Sequence, residues 1–161
     1  MTLSRVRGRL LDVGCGPNKL TRLYGQGVGV DVYPWPSVDV LIEDAQRLPF
    51  ADKSFDTVSF VACLNHIPHR LAALKEAGRV LADDGVLLAT MIPSFVSRVW
   101  HLVNRPWDVD QTDRGMEEGE VYGLNFRRMK QLFTDAGFEL REHRRFILKM
   151  NILYVCRKAD A

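Results

Sequence analysis

With 161 residues the chain has the length of one domain and enough material for a sizeable core. Its 47% hydrophobic and 26% charged residues are an ordinary globular balance, and a net charge of +2 is too small to imply a nucleic-acid or membrane partner. Cys15, Cys63 and Cys156 are widely spaced, odd in number and outside any C-x-x-C pair, which argues against a disulfide framework and a zinc site and for free thiols in a reducing, cytoplasmic setting.

Taken in chain order, Met1 to Arg9 is basic but has no apolar stretch of signal-peptide type, and no later run is long enough to span a bilayer. Leu10-Leu11-Asp12-Val13 reads as a buried strand. The pattern then breaks into Gly14-Cys15-Gly16-Pro17, and Leu20, Leu23 and Tyr24 share one face of a following helix. Gly14 and Gly16 permit backbone angles closed to other residues and let a ligand lie on the main chain. Pro17 suits the first helical position. The dinucleotide fingerprint G-x-G-x-x-G is broken, because Lys19 stands at the third glycine. Pro17 also removes an N–H where a diphosphate would need a donor, so a nucleoside without phosphates fits the turn better.

Val28 to Val32 reads as a second short strand carrying Asp31, 17 positions after Gly14. In a right-handed βαβ unit the ends of the two strands lie side by side, and a carboxylate there can accept from both hydroxyls of a ribose. A third apolar run ends at Asp44, a residue suited either to an exocyclic amine such as that of adenine or to a simple turn. Only Val32 to Glu43 separate the two acids, too few for a crossover helix and a strand. The stiff Tyr33-Pro34-Trp35-Pro36-Ser37 takes the helix's place, with Trp35 available to cover a base or to pack the connector.

These residues together, with D-A-Q-R-L-P-F-A-D-K-S-F-D from Asp44 to Asp56, resemble the class I S-adenosylmethionine-dependent methyltransferases, in their broad small-molecule branch with a D-x-G-C-G motif. The resemblance runs from Arg9 to Ile92. It implies a doubly wound, seven-stranded Rossmann-like α/β sheet in one domain over 1–161, mostly parallel with an antiparallel last strand. It implies S-adenosylmethionine as cofactor, held by Asp12, Gly14, Cys15, Gly16, Asp31, Val32, Asp44, Ala45, Val61 and Ala62. Family members usually carry helices before the first strand that close over the site. This chain reaches that strand almost at once, so a cover is expected from elsewhere or from a partner.

Phe55 to Val61 reads as the fourth strand. The segment after it, through Asn65 and His66, faces the methyl acceptor in the resembled family. His66 is the candidate general base, histidine being the side chain that exchanges protons near neutral pH; a packing role for it is the plainer alternative. Arg70 to Leu81 has a helical period, Asp83-Asp84-Gly85 reads as a turn and Val86 to Ile92 as a fifth strand. Residues 93–124 form an insert. Ser94 can cap a helix with Val96, Val99, Trp100 and Val103 on one stripe. The insert is expected to act as lid and acceptor pocket, lined by Trp107 and Tyr122, or else to use that stripe for a homodimer contact. Its acids lack calcium-loop spacing, and no metal is expected. Phe126 to Ala136 reads as a helix closed by Gly137, followed by strands over Phe138 to Phe146 and Asn151 to Arg157. Arg141, Arg144, Arg145 and Lys149 suit a solvated strand face better than an RNA site.

The expected activity is therefore methyl transfer from S-adenosylmethionine to a small-molecule acceptor. The motif for methylating base amines is absent, since Ala62-Cys63-Leu64-Asn65 stands in its place, and Cys63 lacks the preceding proline of cytosine C5 enzymes. Two other readings remain: a non-catalytic partner or activator subunit with the cofactor fold, and, more remotely, an NAD-type dehydrogenase.

Overall fold

In the computed structural model, which describes residues 2–92, 121, 123–147 and 151–159, the apolar runs form one seven-stranded sheet. Its strands are β1 (Leu10–Val13), β2 (Gly27–Asp31), β3 (Val40–Leu41), β4 (Phe55–Val61), β5 (Leu81–Met91), β6 (Phe138–Phe146) and β7 (Asn151–Lys158). The spatial order is β3-β2-β1-β4-β5-β7-β6. The first five strands run parallel, and β7 inserts antiparallel between β5 and β6. This is the expected doubly wound α/β sheet. Strand order reverses between β1 and β4, and in such sheets the crevice beyond the carboxyl ends at that switch point receives the ligand.

The helices are α1 (Lys19–Tyr24), α2 (Arg70–Val80) and α3 (Phe126–Asp135). All four residues of β1 are buried, as a parallel strand covered on both faces requires. Helix α2 buries Ala73, Leu74, Ala77 and Val80, a single stripe of period 3.6. Helix α3 starts at Asn125, whose side chain accepts from the Arg128 N–H, and buries Met129 and Phe133. It stops at Gly137, whose φ of 83° suits a residue without a Cβ. Tyr154 of β7 is fully buried, its ring 5.6 Å from that of Phe133.

Three local expectations are corrected. Pro17 is not the first helical residue: α1 begins at Lys19, after a buried Asn18 in the left-handed region. Nor does the Leu20, Leu23 and Tyr24 face point inward, for Thr21 is the buried residue and Leu23 is 73% exposed. The reason is tertiary. The Asn18 amide donates to the Ser37 carbonyl and the Asp39 carboxylate, both at 2.8 Å, and accepts from the Thr21 hydroxyl. These bonds set the roll of a helix too short to set its own. Lastly, Asp83-Asp84-Gly85 lies inside a strand. β5 begins at Leu81, and the ladder skips from the Phe55–Leu81 pair to the Thr57–Val86 pair, so the acids sit in an irregularity of β5. Lys53 pairs with Asp83 at 2.7 Å across it.

The connection from β2 to β3 contains no helix, as its length dictated. Asp39 takes over part of a helix's role by accepting from the Gly29 N–H at 2.7 Å as well as from Asn18. A Cβ on Gly29 would collide with the Asn18 amide, so glycine at that place lets the connector close. The expected helix after Ser94, most of the 93–124 insert with Trp107 and Tyr122, and Lys149 lie outside the described residues. Among the described residues no helix is long and apolar enough to cross a membrane.

Candidate functional site

The carboxyl ends of β1, β2, β3 and β4 enclose a cleft of about 850 Å³. Each wall follows from a local feature of the chain. The β1 turn is tied to β2, since the Gly14 and Cys15 N–H groups both donate to the Val30 carbonyl, at 2.9 and 3.1 Å. Gly14 (φ 67°) and Gly16 (φ 52°) hold the left-handed conformations that the turn needs. A Cβ on Gly14 would lie 2.7 Å from that of Cys63, so the glycine also permits close packing under the cleft floor. At Gly16 nothing stands within 4 Å of such a position, which leaves the main chain open to a ligand.

Asp31 ends β2 with 6% exposure and is held at both oxygens. Oδ2 accepts from the Gly16 N–H at 2.8 Å and Oδ1 from the Tyr33 N–H at 3.0 Å. Each carboxylate oxygen keeps a second acceptor site, so the group is fixed in place yet able to take further donors. Asp44 lies beyond β3. It accepts from the Gln46 backbone N–H at 2.9 Å and from the Gln46 side chain, so the turn role and a place in the cleft coexist in one residue. At the end of β4, Ala62 adopts a left-handed φ of 55° and donates to the Thr90 hydroxyl at 3.0 Å. A non-glycine residue in that region costs on the order of 1–2 kcal/mol and re-aims the chain toward the cleft. His66 follows, with its N–H donating to the Cys63 carbonyl at 2.8 Å.

Of the residues singled out from sequence, Gly14, Cys15, Gly16, Asp31, Val32, Asp44, Ala45, Val61, Ala62 and His66 all border this one cleft. Asp12 does not. It is 2% exposed beneath the turn, accepting from the Ser59 hydroxyl at 2.6 Å, and burial pushes its carboxyl up to about 7. Tyr33, Trp35, Glu43, Ile67, Pro68 and His69 also border the cleft. Trp35, available from the sequence to cover a base or to pack the connector, has its ring centroid 4.8 Å from that of Tyr33. The others carried no signal beyond their closeness to Asp31, Asp44 and His66. Burial raises the Cys15 thiol to about 12 and the Cys63 thiol well above its ordinary value, so both stay protonated and poorly nucleophilic at neutral pH.

The charge of the cleft is one-sided. Asp31, Glu43 and Asp44 border it, and among the described residues no lysine or arginine does. Such a lining favours a cation and repels a diphosphate. Val121, near the end of the 93–124 insert, lies in this region, its N–H donating to the Asn65 carbonyl at 3.0 Å.

A mostly parallel sheet with a glycine turn, a buried carboxylate at the switch point and an acidic cleft is an arrangement of the Rossmann-like class. The sequence profile of the methyltransferase domain family matches residues 11–89, and that stretch has the sequence and fold of a class I S-adenosylmethionine-dependent methyltransferase domain. An uncharacterised protein of Methanocaldococcus jannaschii is 35% identical over 91 residues, which is 51% of this chain and 36% of that protein. A human probable tRNA methyltransferase 9B is 27% identical over 142 residues, 80% of this chain and 28% of that one. The chain thus spans about a third of the length of these curated relatives. Among solved structures, a chain from the complex of the Haloferax volcanii Trm112 methyltransferase activator with a putative methyltransferase superposes with a TM-score of 0.77 at 16% identity, covering 99% of this chain and 87% of that one. At that identity the likeness is one of fold.

Proposed function

We propose that this chain transfers a methyl group from S-adenosylmethionine to a small-molecule acceptor. The observation that carries the reading is the acid-lined cleft at the switch point, with Asp31 clamped by two backbone N–H groups and the Gly16 main chain open. Its volume lies within the range of ordinary cofactor pockets. S-adenosylmethionine carries a positive sulfonium and an ammonium, which three carboxylates attract. NAD carries a diphosphate, which they repel. The remote dehydrogenase reading is weakened by the same charge argument.

In this reading Asp31 accepts from the ribose hydroxyls, Asp44 accepts from the adenine amine, and Gly14, Cys15, Gly16, Val61 and Ala62 form the backbone cradle beside the methionine portion. Val32 and Ala45 are apolar walls. When bound, the cofactor supplies a methyl group activated by its sulfonium. The chain's residues fix the orientation of the two reactants, an effect worth roughly 7–11 kcal/mol of barrier in well-aligned systems. His66 takes up the acceptor's proton where the acceptor has one to lose. The likeness to a chain of the activator complex supports a partner subunit as an addition to this reading.

Titration calorimetry with S-adenosylmethionine, S-adenosylhomocysteine and NAD tests it. Heat with both adenosyl compounds and none with NAD is the expected result. Binding of NAD without a response to S-adenosylhomocysteine would overturn the assignment.

A further inference from the structure

Beside the acidic cleft lies a second concavity of opposite charge. It measures about 420 Å³ and runs between the first turns of α2 and the outer side of α3. His69, Arg70, Lys75 and Arg128 border it with Gln46, and among the described residues no aspartate or glutamate does. Pro68 and His69 border both this groove and the cofactor cleft, so the two share a wall. We propose that this groove binds a phosphate group carried by the methyl acceptor. The inference rests on the methyltransferase reading and narrows its substrate class.

Four observations lead there. First, neither Lys75 nor Arg128 has an ion-pair partner among the described residues, whereas Arg79, on the same helix as Lys75, is matched to Glu76 at 2.7 Å and to Asp52. Lys75 and Arg128, with no acid between them among the described residues, repel one another and raise the local potential, a cost that a bound anion reverses. Second, Arg70 is held in place by donating to the Leu64 carbonyl at 2.8 Å and the Asn65 carbonyl at 3.0 Å. A pre-positioned guanidinium is the group suited to phosphate oxygens. Third, His69 precedes α2 without a side-chain cap, so the amide end of an 11-residue helix adds to the same field. Fourth, the sign of charge changes across the shared wall. A cationic cofactor on one side and an anionic acceptor on the other are sorted by charge before they meet. The chain's small net charge hides this division.

The test is amide NMR on the full chain at low salt, titrating inorganic phosphate, S-adenosylhomocysteine and a short unstructured ribo-oligonucleotide in separate arms. Phosphate is expected to move the signals of residues 69–75 and 128–132. Lys75→Ala combined with Arg128→Ala should weaken that response at least about tenfold. Both residues lie on exposed helix positions, and the amide spectrum itself reports whether the variant is folded. Lys75→Arg should retain the response. An oligonucleotide bound at least about a hundredfold more tightly than phosphate, and weakened by the same double variant, assigns the phosphate to a polynucleotide. Comparable affinities assign it to a small acceptor. Shifts confined to other regions, or an unchanged response in the folded double variant, overturn the proposal. If phosphate responds as expected while S-adenosylhomocysteine leaves residues 14–16 and 31 unmoved, the methyltransferase reading falls and the anion site stands.

Discussion

Asp31 and Asp12 are two carboxylates of neighbouring strands with opposite situations. Asp31 is pinned by the Gly16 and Tyr33 N–H groups at the cleft. On the proposed reading, replacing it by alanine removes acceptors from the ribose hydroxyls, and hydrogen bonds to a charged group are worth about 1.5–3 kcal/mol. The affinity of Asp31→Ala for S-adenosylhomocysteine, measured by calorimetry, should therefore fall by roughly one to two decades. Normal binding would reduce Asp31 to a strand terminus. Asp12 instead lies under the turn, its carboxyl raised from 3.8 to about 7 by burial, with Asp31 adding to the rise and Ser59 opposing it. The folded protein thus holds a proton that the unfolded chain has lost between about pH 4 and 7. Stability from this group is complete below that window and lost as pH rises through it, by about 4 kcal/mol at most. Thermal unfolding across that range should show a falling stability in the native chain, and Asp12→Asn should flatten the slope.

At the scale of elements, the stretch from Leu48 to Lys53 is held by one arginine of α2. Arg79 donates to the Phe50 carbonyl at 2.9 Å and to the Leu48 carbonyl at 3.1 Å, and Glu76, which Arg79 holds by a hydrogen bond, accepts from the Leu48 N–H at 2.8 Å. That hydrogen bond lowers the Glu76 carboxyl below its ordinary range. The L-P-F-x-D-x-S-F-D portion of the resembling motif is therefore a splint between β3 and β4, well away from any reacting atom. Arg79→Ala leaves these carbonyls and the Glu76 carboxylate without their donor, and should cost about 2 kcal/mol in urea unfolding. Cofactor affinity should change little, since the splint does not border the cleft. A loss of binding as large as that of Asp31→Ala would show that the splint positions Asp44 as well.

For the whole molecule, ligand binding to the folded state alone raises stability by about 2.7 kcal/mol at a hundred times the dissociation constant. In a chain of this size that corresponds to a rise of roughly 5–10 °C in Tm. S-adenosylhomocysteine should produce such a rise and NAD none, as read by scanning calorimetry. An equal shift with NAD would contradict the charge of the cleft.

The α/β class of fold was legible through the family resemblance, and most strands, the glycine turn and the placing of Asp31 were legible because they follow short-range rules. Apolar runs make strands, Gly14 and Gly16 make the turn, and a carboxylate after the second strand reaches the crevice because βαβ units have one hand. Other features depended on partners far along the chain. The roll of α1 was decided by Asn18 meeting Ser37 and Asp39, and the irregularity in β5 by its pairing with β4 and by Lys53 across from Asp83. The basic groove was equally invisible, because Gln46, Lys75 and Arg128 come from three separate segments. A net charge sums over the surface, and only the tertiary structure decides where each sign collects.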